Sequence, residues 1–239
     1  RKVVNEVSNR YDVPLFLYGA AATSVERTML SDLRRGEYEG LQGRLAEGDS
    51  SHSAATRYPD VGAREWSPLV ARSGGITVGA RSILVAYNVN VAEQGAMVAK
   101  KIGSIVRSSG RLLKSENGGK IRSGGMLKKV QGMGVPVDEL GISQVSMNLL
   151  DVDQCPLHLA FKTCESLAND HGAKLCGSEI VGLVPLSAML QAGRYFNPEA
   201  TDDASLVQAA VHALGLNNHH EFNPQKHIIE WALASEVVE

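Results

Sequence analysis

Gln144-Val-Ser-Met-Asn-Leu-Leu-Asp151 decides how this chain is read, because apolar and polar residues alternate through it at a period of two. Val145, Met147 and Leu149 fall on one side of an extended chain, and Gln144, Ser146 and Asn148 on the other. The spacing predicts a strand over Ile142 to Val152 with one face in a core. Its neighbours fit the same sheet. Lys128 to Gly134 reads as a strand reached through Pro136 and Gly141, and Lys174 to Val181 as another. Ile83 to Val91 places Ile83, Val85, Tyr87, Val89 and Val91 on one face and Asn88 and Asn90 on the other.

Helical spacing separates these strands. Glu93 to Arg107 is amphipathic, with Val98, Ile102, Ile105 and Val106 inward. Pro156 suits a first helical position, and Leu157, Ala160, Phe161, Cys164, Leu167 and Ala168 repeat until Gly172. The order strand, helix, strand, strand, helix, strand defines an α+β protein with a ferredoxin-like split βαβ subdomain. Two more helices, Leu186 to Ala192 and Ala204 to Leu214, are each closed by a glycine. Ser108 to Gly125 reads as a mobile Gly, Ser and Lys loop.

The first third is less regular. A helix carries Val3, Val4 and Val7, and Asp12 to Gly19 is a buried strand that ends in a glycine turn. Val25 to Arg35 reads as a surface helix with Val25, Met29, Leu30 and Leu33 as its stripe. Gln42 to Tyr58 lacks periodicity and reads as loop, and Pro59 to Gly79 is too punctuated by Pro and Gly for regular structure. No second strand precedes residue 75, so the expected sheet partners of Leu15 to Tyr18 lie upstream of Arg1.

The chain has 239 residues, a net charge of −2 and a pI near 6.4. That balance sets up no basic field for nucleic acid or an anionic membrane. No apolar run is long enough to span a bilayer. Cys155, Cys164 and Cys176 show no metal-ligand spacing and read as buried small hydrophobes in a reducing, cytoplasmic setting. Neither a phosphate-binding loop nor a dinucleotide fingerprint is present.

Polar rows on two strands have two readings. One is a solvated sheet face; the other is an amide-lined cleft whose donors and acceptors suit a heteroaromatic ring. Asn, Gln and Ser, rather than Lys and Glu, favour the cleft. Arg64, Arg72, Arg81, Lys128 and Lys129 suit carboxylate ligands or are ordinary surface charge. His158 reads as solvated. His219-His220 lies in a loop without the spacing of a metal site, so no metal is expected. Glu179 either orients a substrate amine or is a buried acid bonded to backbone amides.

Leu127-Lys-Lys-Val-Gln-Gly-Met-Gly134, Gln144 to Asp151, Gly177-Ser-Glu-Ile-Val-Gly-Leu-Val-Pro-Leu186 and Phe222-Asn-Pro-Gln-Lys-His-Ile-Ile-Glu230 closely resemble the formiminotransferase domain of the glutamate formimidoyltransferase family. The likeness runs in register from about Val3 to Leu233. It implies transfer of a formimino group from N-formiminoglutamate to tetrahydrofolate, giving 5-formiminotetrahydrofolate and glutamate, with folate in a groove between two subdomains. The subdomains would be residues 1–82, a remnant truncated at its start, and 83–235. The family's catalytic histidine would precede residue 1, leaving this chain alone inactive, and a homodimer is implied.

The family's folate-binding segment looks like Asp60, Gly62, Arg64, Trp66, Ser67, Pro68, Gly74 and Gly75, closed by Gly79 and Arg81. Its middle departs from the family pattern at Ala63 and by about two extra residues. Trp66 would stack on the ligand or pack under the loop. With Asn88, Asn90, Gln144 and Asn148 these are the candidate folate-binding residues. The alternatives are a non-catalytic folate-binding or regulatory protein on the same fold, and an RNA-binding module, against which the few aromatics argue.

Overall fold

The computed structural model describes residues 2–46, 52–115 and 117–236. The chain divides into two compact units, Arg1–Arg81 and Ser82–Glu239.

In the first unit, α1 (Lys2–Tyr11) leads into β1 (Leu15–Gly19). Then come four short helices, α2 (Leu30–Leu33), α3 (Leu41–Leu45), α4 (Ala54–Arg57) and α5 (Pro68–Ser73), and β2 (Ile76–Ala80). The supposedly partnerless strand is paired within the unit. β1 runs parallel to β2, Leu15 opposite Ile76 and Tyr18 opposite Gly79. Its other edge is closed by non-strand chain: Leu15 N–H donates to Val61 at 2.9 Å, Leu17 N–H to the Asp60 carboxylate at 2.7 Å, and Gly19 N–H to Thr28 at 3.2 Å. A strand needs its backbone groups satisfied, and a carboxylate serves as well as a carbonyl. The partner escapes a sequence reading because Ile76 to Ala80 is short, follows Gly74-Gly75 and carries Gly79 within it.

Three further expectations for this unit fail. Val25 to Arg35 is a 3₁₀ turn, Val25–Arg27, followed by α2; Val25 and Met29 are exposed, and the buried residues are Arg27 and Leu33. Gln42 to Tyr58 contains the end of α3 and all of α4, with residues 47–51 outside the described part. Pro59 to Gly79 contains α5 and β2. Ser67 caps α5, its Oγ accepting from Val70 N–H at 3.2 Å with Pro68 at the first helical position, a start signal obscured by the surrounding Pro and Gly. Only Val4 of the three N-terminal valines is fully buried.

The second unit follows the split βαβ order. It comprises β3 (Val85–Val91), α6 (Met97–Val106), the hairpin β4 (Arg111–Lys114) and β5 (Lys120–Ser123), β6 (Val130–Val137), β7 (Ile142–Leu149), α7 (Leu157–Asp170) and β8 (Leu175–Val181). The helices α8 (Leu186–Phe196), α9 (Asp203–Leu214), α10 (Pro224–His227) and α11 (Ile229–Glu236) complete it. The antiparallel sheet has the order β6-β7-β3-β8.

Ser108 to Gly125 is therefore a two-stranded ribbon rather than a loop. Leu112 and Leu113 lie between Arg111 and Lys114, Ile121 lies between Lys120 and Arg122, and Gly118-Gly119 between the strands masks the pairing. Pro136 lies inside β6, Pro156 caps α7 instead of opening it, and α8 continues through Gly193 to Phe196. Glu93 precedes α6 and caps it, its carboxylate accepting from Val98 N–H at 2.9 Å and from Ser143 Oγ at 3.1 Å.

The alternation of β3 and β7 holds. Val85, Tyr87, Val89, Val91, Val145, Met147 and Leu149 form one core with Val98, Ile102 and Val106 of α6 and with Leu157, Phe161 and Cys164 of α7. Helix α6 approaches β6 closely because Gly134 and Gly103 carry no side chains: a Cβ on Gly134 would sit 2.1 Å from Lys100 N. Cys155 and Cys164 are buried, as expected, but Cys176 is half-exposed. Burial pushes the Cys155 thiol up to about 11 and the Cys164 thiol higher still. His158 is not solvated: its ring stacks on Tyr195 with centroids 4.4 Å apart, and its Nδ1 is buried without a partner.

Candidate functional site

The sheet of the second unit turns one face to its helices. On the other face, register brings the polar residues of all four strands together. Asn90 of β3 lies opposite Gln144 of β7 and Gly177 of β8, and Asn88 lies opposite Ser146 and Glu179. Asn148 lies opposite Gln131 of β6.

These groups form two hydrogen-bonded sets. Gln144 Nε2 donates to Asn90 Oδ1 at 2.9 Å and to Glu179 Oε2 at 3.3 Å, and Asn148 Nδ2 donates to Gln131 Oε1 at 3.4 Å. Asn90 is 1% exposed and Gln144 8%, so this part of the face is not solvated. Asn90 Nδ2 is buried without a hydrogen-bond partner. Such a donor carries a desolvation cost that a bound acceptor would remove.

The segment after α9 lies against the β8 end of this face. Asn218 Nδ2 donates to Cys176 O at 3.0 Å, and a Cβ added at Gly177 would come within 2.8 Å of Gly215 O. This segment carries His220, whose Nε2 is 3.9 Å from Glu179 Oε1. Glu179, His220, Glu221, Phe222 and His227 line a cavity of about 190 Å³.

Glu179 is not a buried acid bonded to backbone amides: its carboxylate faces the side chains of Gln144 and His220. Sequence reasoning left both Glu179 and His220 off the candidate residues. Glu179 was findable by carrying the period of two into β8. His220 was not, because a loop has no period.

Lys128 and Lys129 are both exposed, and Lys129 has φ +56°, an uncommon conformation for a side chain of its size. Its carbonyl accepts from Leu150 N–H at 2.8 Å. The Asp151 carboxyl is held below the ordinary carboxylate range, first by the Gln154 side chain and then by backbone amides, with the Lys129 charge adding.

The first unit divides its candidates between two cavities. Asp60 and Arg64 line one of about 540 Å³ with Thr23 and Arg27; Gly74 and Gly75 line another of about 330 Å³ with Phe16, Tyr38 and Arg44. Asp60 is engaged in the scaffold: its carboxylate pairs with Arg27 Nη2 at 2.5 Å and accepts from Thr23 Oγ1 at 2.6 Å besides Leu17 N–H. Gly62 passes against Val13 O, where a Cβ would not fit. Trp66 is half-buried beside Tyr38, ring centroids 6.3 Å apart, and packs against the cluster of Phe16, Leu33, Leu41 and Val70. Gly79 lies under the Tyr18 ring, and Arg64, Arg72 and Arg81 are exposed.

Among the described residues no group of three or more His, Cys, Asp or Glu is placed to hold a metal ion, and no helix is long and apolar enough to cross a membrane.

A split βαβ sheet with helices on one face and a buried Asn90–Gln144 pair on the other defines an α+β protein. Residues 86–234 match the sequence model of the formiminotransferase domain, and residues 1–81 that of its N-terminal subdomain. The chain belongs to the formiminotransferase family. It is 37% identical over 235 residues to a formimidoyltransferase-cyclodeaminase of Dictyostelium discoideum, covering 97% of this chain and 40% of that protein. It is 34% identical to the Mus musculus formimidoyltransferase-cyclodeaminase, covering 94% of this chain and 39% of that protein. With a glutamate formimidoyltransferase of Streptococcus pyogenes serotype M1 the identity is 33%, over 82% of this chain and 58% of that protein. The chain thus spans about two fifths of the length of the first two relatives and under two thirds of the third.

Proposed function

We propose that this chain is part of a transferase that moves the formimino group of N-formiminoglutamate to a ring nitrogen of tetrahydrofolate, releasing glutamate and 5-formiminotetrahydrofolate. Family membership supports the reaction class. The observation that carries the ligand assignment is the buried Asn90–Gln144 pair with its unpaired Asn90 Nδ2, which offers complementary donors and acceptors to a pterin. Asn88 and Asn148 extend the row. Arg64, Arg72, Arg81 and the Lys128-Lys129 pair supply cations for the glutamyl carboxylates.

In this reading the folate segment from Asp60 to Arg81 contributes through Trp66, Ser67, Pro68, Gly74, Gly75 and Gly79, around a loop that Asp60 and Gly62 hold in shape. Holding two ligands together supplies the effective-molarity advantage that a group transfer needs. A cytoplasmic homodimer belongs to the same reading, and sedimentation of the purified chain tests the dimer.

Calorimetric titration of the chain with tetrahydrofolate tests the assignment. Saturable binding weakened by Asn90→Leu is the expected result. An intact, folded chain that gives no saturable heat overturns it.

A further inference from the structure

Glu179 is the one carboxylate in the polar row, and its surroundings are unlike those of a surface acid. Gln144 Nε2 holds Oε2 at 3.3 Å while also bonding Asn90, so the carboxylate is tied to the buried amide pair across β3. Oε1 is turned to the other side, toward His220 Nε2 at 3.9 Å, beyond direct hydrogen-bond length. The glutamate side chain is 28% exposed and lines the cavity of about 190 Å³ that Phe222 and His227 also wall. A buried donor without a partner, Asn90 Nδ2, lies on the same face. Gln144 therefore fixes the orientation of the carboxylate and leaves lone pairs of Oε1 available at the cavity.

We infer that Glu179 is a specificity-determining residue that reads an amidine-type N–H edge, two N–H groups on one carbon, with His220 as the positioning residue that closes the cavity over it. A carboxylate accepts two parallel N–H bonds from such an edge with favourable geometry and charge assistance. A carboxamide in the same place cannot, because one of its two positions is itself a donor.

The inference rests on the function proposed above, whose two ligands each carry this chemistry. The protonated formimino group of N-formiminoglutamate is a formamidinium. The pterin ring of tetrahydrofolate presents its 2-amino group and N3–H side by side.

The test titrates the full chain with tetrahydrofolate, under anaerobic conditions, and separately with N-formiminoglutamate, for wild type and Glu179→Gln. Loss of a charge-assisted bond pair predicts that Glu179→Gln weakens the ligand that is read by about tenfold or more. The other ligand should stay within about twofold, because its bonds are made elsewhere. Loss confined to tetrahydrofolate assigns the pterin edge, and a 2-desamino-2-methyl analogue should then bind wild type and variant alike. Loss confined to N-formiminoglutamate assigns the formimino group.

Wild-type binding of both ligands that Glu179→Gln leaves unchanged overturns the inference but not the function. Absence of wild-type binding removes both. Should Glu179→Gln fail to fold by circular dichroism, Glu179→Asp, which keeps the charge but withdraws it by one methylene, carries the same comparison. His220→Gln then separates positioning from contact: it should weaken the ligand that is read less than Glu179→Gln does, leaving the other unchanged, and an equal loss for both ligands overturns the role given to His220.

Discussion

The hydroxyl of Tyr87 donates to Ser178 Oγ at 3.0 Å, joining the first and last strands of the four-stranded sheet across 91 residues of sequence. Ser178 passes the interaction on, donating to the Leu214 carbonyl at the end of α9 at 2.6 Å. Both side chains are buried, and burial pushes the Tyr87 phenol far up, so it remains a donor. Ser178→Ala strands a phenol and a carbonyl together, at about 1–3 kcal/mol for each. Tyr87→Phe removes one donor and strands nothing, costing about 1 kcal/mol. Urea denaturation should rank the serine variant as the less stable; the reverse order would contradict the relay.

Arg27 and Asp60 are 4% and 8% exposed, so neither charge is solvated when its partner is gone. Arg27→Met should cost about 3–5 kcal/mol, because it leaves an uncompensated carboxylate inside the first unit. Adding Asp60→Asn should return part of that loss. A double-variant cycle whose two costs simply add would mean that the pair is not coupled.

Gly134→Ala places a methyl group 2.1 Å from Lys100 N, and only a displacement of α6 relieves it. The expected cost is about 1–3 kcal/mol, the range for overpacking a close contact. Gly124→Ala, with nothing near its Cβ, should fall within about 0.5 kcal/mol of wild type. Equal melting temperatures for the two variants would refute the close approach.

Burial holds the His158 imidazole below its ordinary pKa. The folded protein then binds fewer protons than the unfolded chain as pH falls past about 6.5, the unperturbed value. Stability attributable to this histidine is therefore complete above that pH and is lost as pH drops through the folded value. Replacing the ring with Phe keeps the Tyr195 stack and removes the titration. The melting temperature of His158→Phe should match or exceed wild type at neutral pH and fall less steeply between pH 6.5 and 5, as calorimetry at successive pH values would show.

The second unit was legible because its signals are periodic. Val85 to Val91 and Val145 to Leu149 declare their faces by alternation, Leu157 to Ala168 by helical spacing, and the polar row follows from register alone. The first unit was not. Its strand β1 is completed by a carboxylate and single carbonyls, which leave no pattern, and a buried cation, Arg27, sits where a stripe of Val25 and Met29 was expected. The ribbon of β4 and β5 hid for another reason: all but one of its strand residues are exposed, so no core dictated its sequence. Within the site, Gln144 and Asn90 were readable from periodicity, Glu179 only with the register of β8, and His220 only from the folded chain.

One foot of that ribbon leaves the end of α6 directly, and the other is fastened back to the same last turn, through Met126 N–H to Ile105 O at 2.9 Å and Leu127 N–H to Val106 O at 3.1 Å. Strands β4 and β5 pair with each other and with no strand of the four-stranded sheet. Chain could be grafted, shortened or exchanged at the tip while Val130 still meets Leu149, which makes this hairpin a natural port for epitopes or fluorophores.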